Sequence, residues 1–201
     1  MKKTIILLAG YPGTGKTYLA NLILERFPEF QFLSPDEIKE KNWDHYGFDS
    51  LDEKESLIQL SWKEYYQSME QAFQHGKSLI SDYPFSNKQK GIIEKLAKQY
   101  SVQVITIRLI GNLDVLFERQ KTRDLDNSRH LGHILTSFHK DATRIEHGQA
   151  DNLLRYEEFI RRCKNRGYGE FSLGDLIELD VSDFAKVDYE KLIMNLQKKI
   201  L

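Results

Sequence analysis

The stretch 4-TIILLAGYPGTGKT-17 decides the fold of this chain, because an apolar run leads into glycine-rich turns, a lysine and a threonine. Residues 4–9 are largely apolar and partly β-branched, which is typical of a strand buried on both faces of a parallel sheet. Beyond the turns, apolar residues recur at three- and four-residue spacing from Leu19 to Phe27, and Pro28 follows. The sequence therefore predicts a strand, a tight loop and a helix in direct succession.

The predicted loop matches the phosphate-binding pattern G-x-x-x-x-G-K-[ST] through Gly10, Gly15, Lys16 and Thr17, with Gly13 inside it. Glycines let successive backbone N–H groups curl around phosphate oxygens, and the following helix adds the positive end of its dipole. The lysine can reach the β- and γ-phosphates, and the threonine hydroxyl can bind Mg²⁺. We expect these residues to bind the nucleotide: Gly10, Tyr11, Pro12, Gly13, Thr14, Gly15, Lys16, Thr17 and Tyr18.

The rest of the chain continues the alternation of strands and helices. Further strands are predicted at 30–34, 78–82, 102–110 and 176–180, and helices at 35 onward, 51–75, 88–99, 113–121, 131–144, 151–163 and 188–200. Such alternation favours a doubly wound α/β domain, a parallel sheet with helices on both faces. No linker or repeat interrupts it, so we predict one domain over residues 1–201.

Composition narrows the functional classes. The 201 residues include 40% hydrophobic residues, the formal net charge is −1, and Cys163 is the single cysteine. A near-neutral charge gives no general attraction to nucleic acid or to an anionic membrane. One cysteine cannot form an internal disulfide, and no apolar run approaches the length of a membrane span or of a signal peptide. We therefore expect a cytoplasmic protein.

Two classes of phosphate-loop protein lack their signatures here. A GTP switch requires N-K-x-D for guanine, whereas 87-NKQK-90 has Lys90 in place of the aspartate. An ATP-driven motor requires a strand ending in Asp-Glu, whereas the third strand ends with Asp82 and Tyr83, and tyrosine cannot serve as the water-activating base. Transfer of the γ-phosphoryl group to a small acceptor remains, and its catalysis consists mostly of positioning and charge neutralisation.

Two carboxylates follow predicted strands at the edge where ligands bind in open parallel sheets. Asp36 is expected to orient or deprotonate the acceptor hydroxyl, although Ser-Pro-Asp-Glu is also an ordinary helix start. Asp82 is expected to hold Mg²⁺ together with Thr17, although it could be a simple turn residue.

A lid is predicted over about residues 117–145. Arg119 and Arg123 share one helix face in 117-FERQKTRDLDNSRH-130, and Arg129 follows a polar loop. Arginines on a hinged segment can cover a transferring phosphate, so we assign catalysis to Lys16, Asp36, Arg119 and Arg123, and nucleotide binding to Arg129. The alternative is a solvated surface helix.

Three further features receive structural interpretations. The histidines of 130–147 lack the spacing of a zinc site. The basic run 161-RRCKNR-166 could meet an anionic substrate or RNA, but we favour a solvated helix end. Trp43 and Tyr46 could line an acceptor pocket, but core packing is the preferred role for each.

The phosphate loop, 34-SPDE-37, Asp82 and the arginine-bearing segment together resemble the small phosphate-loop kinases. This broad group includes polynucleotide, gluconate and shikimate kinases and chloramphenicol phosphotransferase. The segments 129-RHLGH-133 and 179-LDVSDFAKVDYEKLI-193 resemble the branch known as AAA-domain ATP-binding proteins or predicted kinases. Leu131 stands where that branch more often has proline.

The resemblance implies a three-layer P-loop NTPase fold with a five-stranded parallel sheet, a mobile helical lid, ATP and Mg²⁺. It also implies that residues 182–184 lie near adenine, and it does not imply a ring-shaped motor. We predict a kinase acting on an unidentified small hydroxyl-bearing acceptor. An ATP-binding regulator or slow ATPase and a nucleic-acid end kinase are the alternatives, and the sequence leaves the oligomeric state open.

Overall fold

The computed structural model describes residues 2–200, which form one five-stranded parallel sheet and seven α-helices. The strands are β1 (Thr4–Gly10), β2 (Phe30–Phe32), β3 (Ser78–Asp82), β4 (Gln103–Ile110) and β5 (Asp175–Asp180). The helices are α1 (Lys16–Arg26), α2 (Pro35–Tyr46), α3 (Leu51–Gln74), α4 (Asn87–Gln99), α5 (Leu113–Leu125), α6 (Tyr156–Asn165) and α7 (Tyr189–Ile200). The predicted α/β fold with a five-stranded parallel sheet is confirmed.

The central strand β1 organises the core. The strand order is β2-β3-β1-β4-β5, and every residue of β1 is buried. Successive side chains of a strand point to opposite faces. Ile6 and Leu8 accordingly pack in one apolar core, while Ile5 and Leu7 pack in another.

Helices cover both faces of the sheet. The first core combines β1, β3 and β4 with α1, α5, α6 and α7. The second core packs α3 and α4 against the opposite face, through Tyr65, Met69, Phe73 and Ile93 among others. Both faces of β1 are therefore shielded from water, as its unbroken apolar sequence predicts.

Local signals set the helix starts. Pro35 occupies the first turn of α2 after Ser34, and the Ser50 hydroxyl accepts a hydrogen bond from Glu53 N at the start of α3. A capping box of Ser86 and Gln89 opens α4. These caps satisfy backbone N–H groups that have no partner within the helix.

The predicted helix over 131–144 is wrong. The segment contains only a short 3₁₀ turn, Leu131–His133, and the predicted helical lid therefore has its α-helix only up to Leu125. Phe138 instead pairs in antiparallel fashion with Phe48. The Thr136 backbone N–H and hydroxyl both bond the Asp151 carboxylate, and this partner competes with helix formation.

A third, smaller core explains why the segment looked helical. Trp43, Phe48, Leu135 and Phe138 pack together, and Gly132 lies so close that a Cβ there would be 2.5 Å from the Trp43 ring. The apolar residues 131, 134, 135 and 138 have helical spacing, but Leu135 and Phe138, with the partly buried Leu131, pack in this core from a largely irregular backbone.

Two smaller differences concern helix ends. Helix α6 begins at Tyr156 rather than at 151, because Asp151 is engaged with Thr136, and α5 runs four residues past the predicted end at 121. Across residues 2–200, the structure contains no helix with the length and apolar character that a membrane span requires.

Replacing Ile6 with alanine should lower the free energy of unfolding by about 2–5 kcal/mol, because the change leaves a cavity in a core that cannot fully collapse. Ile92 on α4 is 45% exposed, and Ile92→Ala should change the free energy of unfolding by less than about 0.5 kcal/mol. Urea denaturation of both variants measures the difference. Equal losses would contradict a fully buried central strand.

Candidate functional site

The predicted site residues from different strands and helices lie near the carboxyl ends of the parallel strands. Leu8 of β1 is paired with Asp82 at the end of β3, and the predicted phosphate loop follows β1 directly. Asp36 lies in the first turn of α2, four residues beyond the end of β2. The topology therefore places residues from distant parts of the sequence at one edge of the sheet.

Glycine is required at two loop positions. Gly10 has φ +111°, and a Cβ there would lie 1.9 Å from the Leu109 carbonyl oxygen. Gly13 has φ +80°, and its Cβ would lie 2.3 Å from the Leu116 carbonyl oxygen. The loop can thus take its tight curve against β4 and α5 only without side chains at these positions.

Lys16 is the first residue of α1 and points back into the loop. Its Nζ donates to the carbonyl oxygen of Tyr11 at 2.6 Å and to Thr14 Oγ1 at 3.2 Å. Burial lowers the pKa of the Lys16 amine to about 8; the Arg123 charge also lowers it, while Asp82 opposes the shift. The amine is therefore held at the concave side of the loop, next to further charged groups.

Thr17 and Asp82 form a hydrogen-bonded pair of oxygen ligands, of which Asp82 is buried. The Thr17 hydroxyl donates to Asp82 Oδ2 at 2.5 Å, whereas Asp82 Oδ1 is buried with no hydrogen-bond partner among the described residues. Burial raises the pKa of the Asp82 carboxyl, and the nearby Asp36 charge adds to this effect. A hydroxyl and a carboxylate are hard oxygen ligands, so the pair fits Mg²⁺.

Asp36 is paired with a lysine that sequence reasoning missed. Lys39 Nζ lies 3.0 Å from Asp36 Oδ1 and also donates to Tyr83 Oη at 3.0 Å. Burial alone would raise the pKa of the Asp36 carboxyl, but the Lys39, His133 and Arg129 charges outweigh it and hold the pKa well below its usual range. Asp36 is consequently an ionised hydrogen-bond acceptor.

The two arginines on α5 differ in their environments. Arg119 donates to the carbonyl oxygens of Val181 at 2.6 Å and Ser182 at 3.0 Å, and its guanidinium lies 3.7 Å from the centre of the Phe184 ring. Arg123 lines the cavity, and its charge acts on the pKa of Lys16. Arg119 therefore supports the loop after β5, while Arg123 faces the phosphate loop.

Arg129 lies beyond the end of α5 and is held by a buried ion pair. Its Nε lies 3.3 Å from Asp124 Oδ1, and both side chains are almost fully buried. The Arg129 charge also acts on the pKa of Asp36. The arginine is thus positioned between the end of α5 and the carboxylate of α2.

One cavity of about 820 Å³ joins most of the predicted site residues. Its lining includes Pro12, Gly13, Gly15, Lys16, Thr17, Asp36, Asp82, Arg119, Arg123 and Arg129. The side chains of Tyr11 and Tyr18 are directed elsewhere, toward Gly169 and Tyr189 respectively. Only the backbone of these two tyrosines is available to the loop.

Phe184 also lines this cavity, and a Cβ on Gly15 would be 3.2 Å from its ring. The loop at 182–184 therefore lies directly beside the phosphate loop. Its predicted proximity to adenine stays a prediction.

The lining also includes Lys39 and Lys54, which sequence reasoning missed, and Arg162 and Arg166 of the basic run 161–166. The Arg162 side chain is 41% exposed and Arg166 is exposed, as a solvated helix end predicts, and both also border the cavity. The missed signal is helical spacing, since Phe159, Arg162 and Arg166 lie on one face of α6 and its extension, and Phe159 is buried. Trp43 both packs in the third core and lines the cavity.

Three histidine–carboxylate pairs connect the segment after α5 to α2 and the turn that follows it. His130 bonds Asp44 at 3.1 Å, His133 bonds Glu40 at 2.7 Å, and His139 bonds Asp49 at 2.9 Å. Each of these histidines has its own carboxylate partner. The pairs act together with the third core to hold the segment against the helix that carries Asp36.

A family model described as "AAA domain" matches residues 5–140, which is more than half of the chain. No curated protein matches the chain significantly.

Solved structures share the fold over nearly the whole chain. A "putative kinase" from Chloroflexus aurantiacus J-10-fl has a TM-score of 0.75 at 20% identity, covering 99% of this chain and 97% of that one. Shikimate kinase from Bacteroides thetaiotaomicron has a TM-score of 0.55 at 14% identity, covering 97% of each chain. A gluconokinase from Sinorhizobium meliloti 1021 has a TM-score of 0.50 at 12% identity, covering 99% of each chain. At these identities the likeness concerns the fold.

Replacing Lys39 with glutamine should raise the pKa of the Asp36 carboxyl toward its usual value, because the nearest positive charge is removed. Carboxyl NMR titration of both proteins measures the shift. Lys98→Gln, which breaks the exposed pair with Glu94, is the control and should leave the pKa of Asp36 unchanged.

Lys39→Gln should also change how the stability of the fold depends on pH. The wild-type pKa of Asp36 is below its unfolded value, so the pair stabilises the fold above about pH 4, and the advantage over Lys39→Gln should disappear as the pH falls further. An advantage that grows on acidification would contradict the assignment.

Proposed function

Because the chain belongs to the AAA domain family and has the fold of the small P-loop kinases, we propose that it transfers the γ-phosphoryl group of ATP to a small hydroxyl-bearing acceptor. One observation carries the proposal: the phosphate loop, both strand-end carboxylates and Arg123 and Arg129 line a single cavity. Phosphoryl transfer depends on positioning and on neutralising charge, and this cavity supplies groups for both.

Lys16 and the loop N–H groups bind the β- and γ-phosphates in this proposal. The Lys16 amine exchanges its bond with the Tyr11 carbonyl for a phosphate oxygen, and Arg123 adds positive charge beside it. Thr17 and Asp82 would hold Mg²⁺, which when bound would neutralise charge on the transferring phosphate. Arg129 faces the same space from the α2 side and offsets the charge that develops during transfer.

Asp36 orients the acceptor hydroxyl. Its lowered pKa makes it a weak base, so its main contribution is to accept the hydroxyl hydrogen bond and direct the oxygen lone pair toward the γ-phosphorus. Proton transfer to the carboxylate then follows late, as a loose transition state permits. Lys39 keeps the carboxylate ionised and fixes its position.

Arg119 and Phe184 form the nucleotide-base end of the proposed site. The Arg119 guanidinium stacks on Phe184 and is bonded to the backbone of the loop after β5, so its flat surface is suited to a base more than to the transferring phosphate. Its role as a catalytic phosphate contact is therefore the less favoured of the two roles.

The same cavity helps to distinguish the small-molecule kinase from the two alternative functions. Residues 161–166 suggest a nucleic-acid end kinase, but Arg162 and Arg166 line the cavity beside the phosphate loop, and Arg161 is paired with Glu158 on the surface. Because two of these arginines border the cavity and do not form a separate basic surface, a small acceptor fits this arrangement better. An ATP-binding regulator would bind nucleotide in the same loop without acceptor-dependent turnover.

Lys16→Ala should weaken ATP binding and reduce turnover about a hundredfold or more, because it removes a charged contact to the transferring phosphate. Calorimetry with Mg²⁺-ATP and product formation from pooled hydroxyl-bearing metabolites measure both effects. Lys95→Ala, an exposed lysine of α4, is the control. Unchanged nucleotide affinity in Lys16→Ala would contradict the assignment of the phosphate loop.

Asp36→Asn should leave ATP binding intact and lower acceptor-dependent turnover by about 10²–10⁴-fold, because an amide accepts no proton and binds the hydroxyl less strongly. The matched control is Asp52→Asn at the exposed start of α3. Equal turnover in Asp36→Asn and wild type would move the assignment to a slow ATPase or regulator.

A further inference from the structure

The cavity carries more positive charge than the transfer chemistry uses. Eight lysine and arginine side chains line it, against three carboxylates. Lys16, Arg123 and Arg129 are accounted for by the phosphates, Lys39 by Asp36, and Arg119 by the loop after β5. Arg162 pairs with Glu158 and Arg166 donates to the Tyr168 hydroxyl, so Lys54 is the buried cation that none of these roles explains.

The first two turns of α3 form a separate wall of this cavity. Leu51, Lys54, Glu55 and Ile58 line it, and their spacing places them on one face of the helix. Glu55 accepts a hydrogen bond from Gln59 on the exposed surface. Lys54 is consequently the charged group of this wall that is directed inward.

Lys54 is buried without a carboxylate partner among the described residues. The residue is 7% exposed, its Nζ donates to the Leu135 carbonyl oxygen at 2.9 Å, and the centres of the Trp43 and Phe48 rings lie 5.6 and 5.3 Å away. An ammonium group has three donors, so two remain for another acceptor. Burying such a charge is costly unless an opposite charge compensates it.

Arg162 approaches the same space from α6. Its Nε lies 2.5 Å from Glu158 Oε1, and its side chain lines the cavity while keeping 41% exposure. Burial lowers the pKa of the Lys54 amine to about 8, and the Arg162 and Arg129 charges contribute to this while Asp151 opposes it. Lys54 and Arg162 line the same cavity, so an anion bound there would be attracted by both charges.

We propose that the acceptor carries an anionic group, a carboxylate or a phosphate, and that Lys54 and Arg162 bind this group while Asp36 orients the hydroxyl. The inference rests on the proposed kinase function, whose acceptor it narrows to small hydroxylated anions. The anion supplies acceptors for the remaining Lys54 donors and forms charge-assisted hydrogen bonds with both side chains. A neutral polyol of the same size would leave the buried amine uncompensated.

The test saturates the protein with Mg²⁺ and a non-hydrolysable ATP analogue, so that the phosphate loop is filled. Inorganic phosphate, lactate and glycerol are then titrated at constant ionic strength and followed by NMR. We expect one or both anions to bind and glycerol to bind far more weakly. Comparing phosphate with lactate identifies which anionic group the site prefers.

Variants assign the binding to the named residues. Lys54→Gln and Arg162→Gln should each weaken anion binding by about tenfold to a hundredfold, the range for a charged hydrogen bond. The controls are Lys63→Gln, an exposed lysine of α3, and Arg161→Gln, whose side chain is 70% exposed. Lys54→Met provides a neutral side chain of similar length if Lys54→Gln does not fold, and Arg162→Gln gives an independent measurement at a half-exposed position.

Two results would overturn the inference. Either neither anion binds to the nucleotide-loaded protein, or the Lys54 and Arg162 variants bind as tightly as their controls. Failure of the ATP analogue itself to bind is a separate result, which would overturn the proposed function and this inference with it.

Discussion

The hydrogen bond that the Thr17 hydroxyl donates to the buried Asp82 carboxylate connects the two halves of the proposed site. It fastens the first turn of α1 to the end of β3, and so it sets the position of the phosphate loop relative to the neighbouring strand. A carboxylate buried this deeply is costly without compensation. The hydroxyl offsets part of that cost, and the unbonded second oxygen leaves a place for a cation. Stability and metal affinity are thus linked at one side chain.

Charge compensation continues across the cavity, but it is uneven. Lys39 fully compensates Asp36, and Asp124 compensates Arg129, so these groups are held in fixed positions before any ligand arrives. Lys16 and Lys54 are bonded only to backbone carbonyls and a hydroxyl. The fixed pairs set the positions of the charged groups. Within the described part of the chain, the two lysines have no carboxylate partner, so an anion that binds to them gains favourable electrostatic free energy. Such a division is what preorganised transfer of a charged group requires.

The sequence predicts the sheet and the tight glycine turn after β1 well because their signals are local. A buried parallel strand needs a continuous apolar run, and the loop needs glycine at positions such as Gly10 and Gly13. The roles of Lys39 and Lys54 could not be predicted, because their partners come from other elements and give no periodic signal. The segment 131–144 differs from its helical prediction for a related reason. Helical spacing shows which residues are buried, but Trp43 and the Phe48–Phe138 pairing decide the backbone that buries them.

The histidine–carboxylate pairs and the Trp43 core have a mechanical consequence. They join residues 130–139 to α2 and the turn after it, so Arg129, which immediately precedes the segment, and Asp36, which begins α2, belong to the same body. The ion pair with Asp124 ties Arg129 to α5 as well, and Lys39 links Asp36 to Tyr83, which directly follows β3. The spacing between this arginine and this carboxylate is therefore fixed from two directions by the folded chain itself, before any ligand is bound.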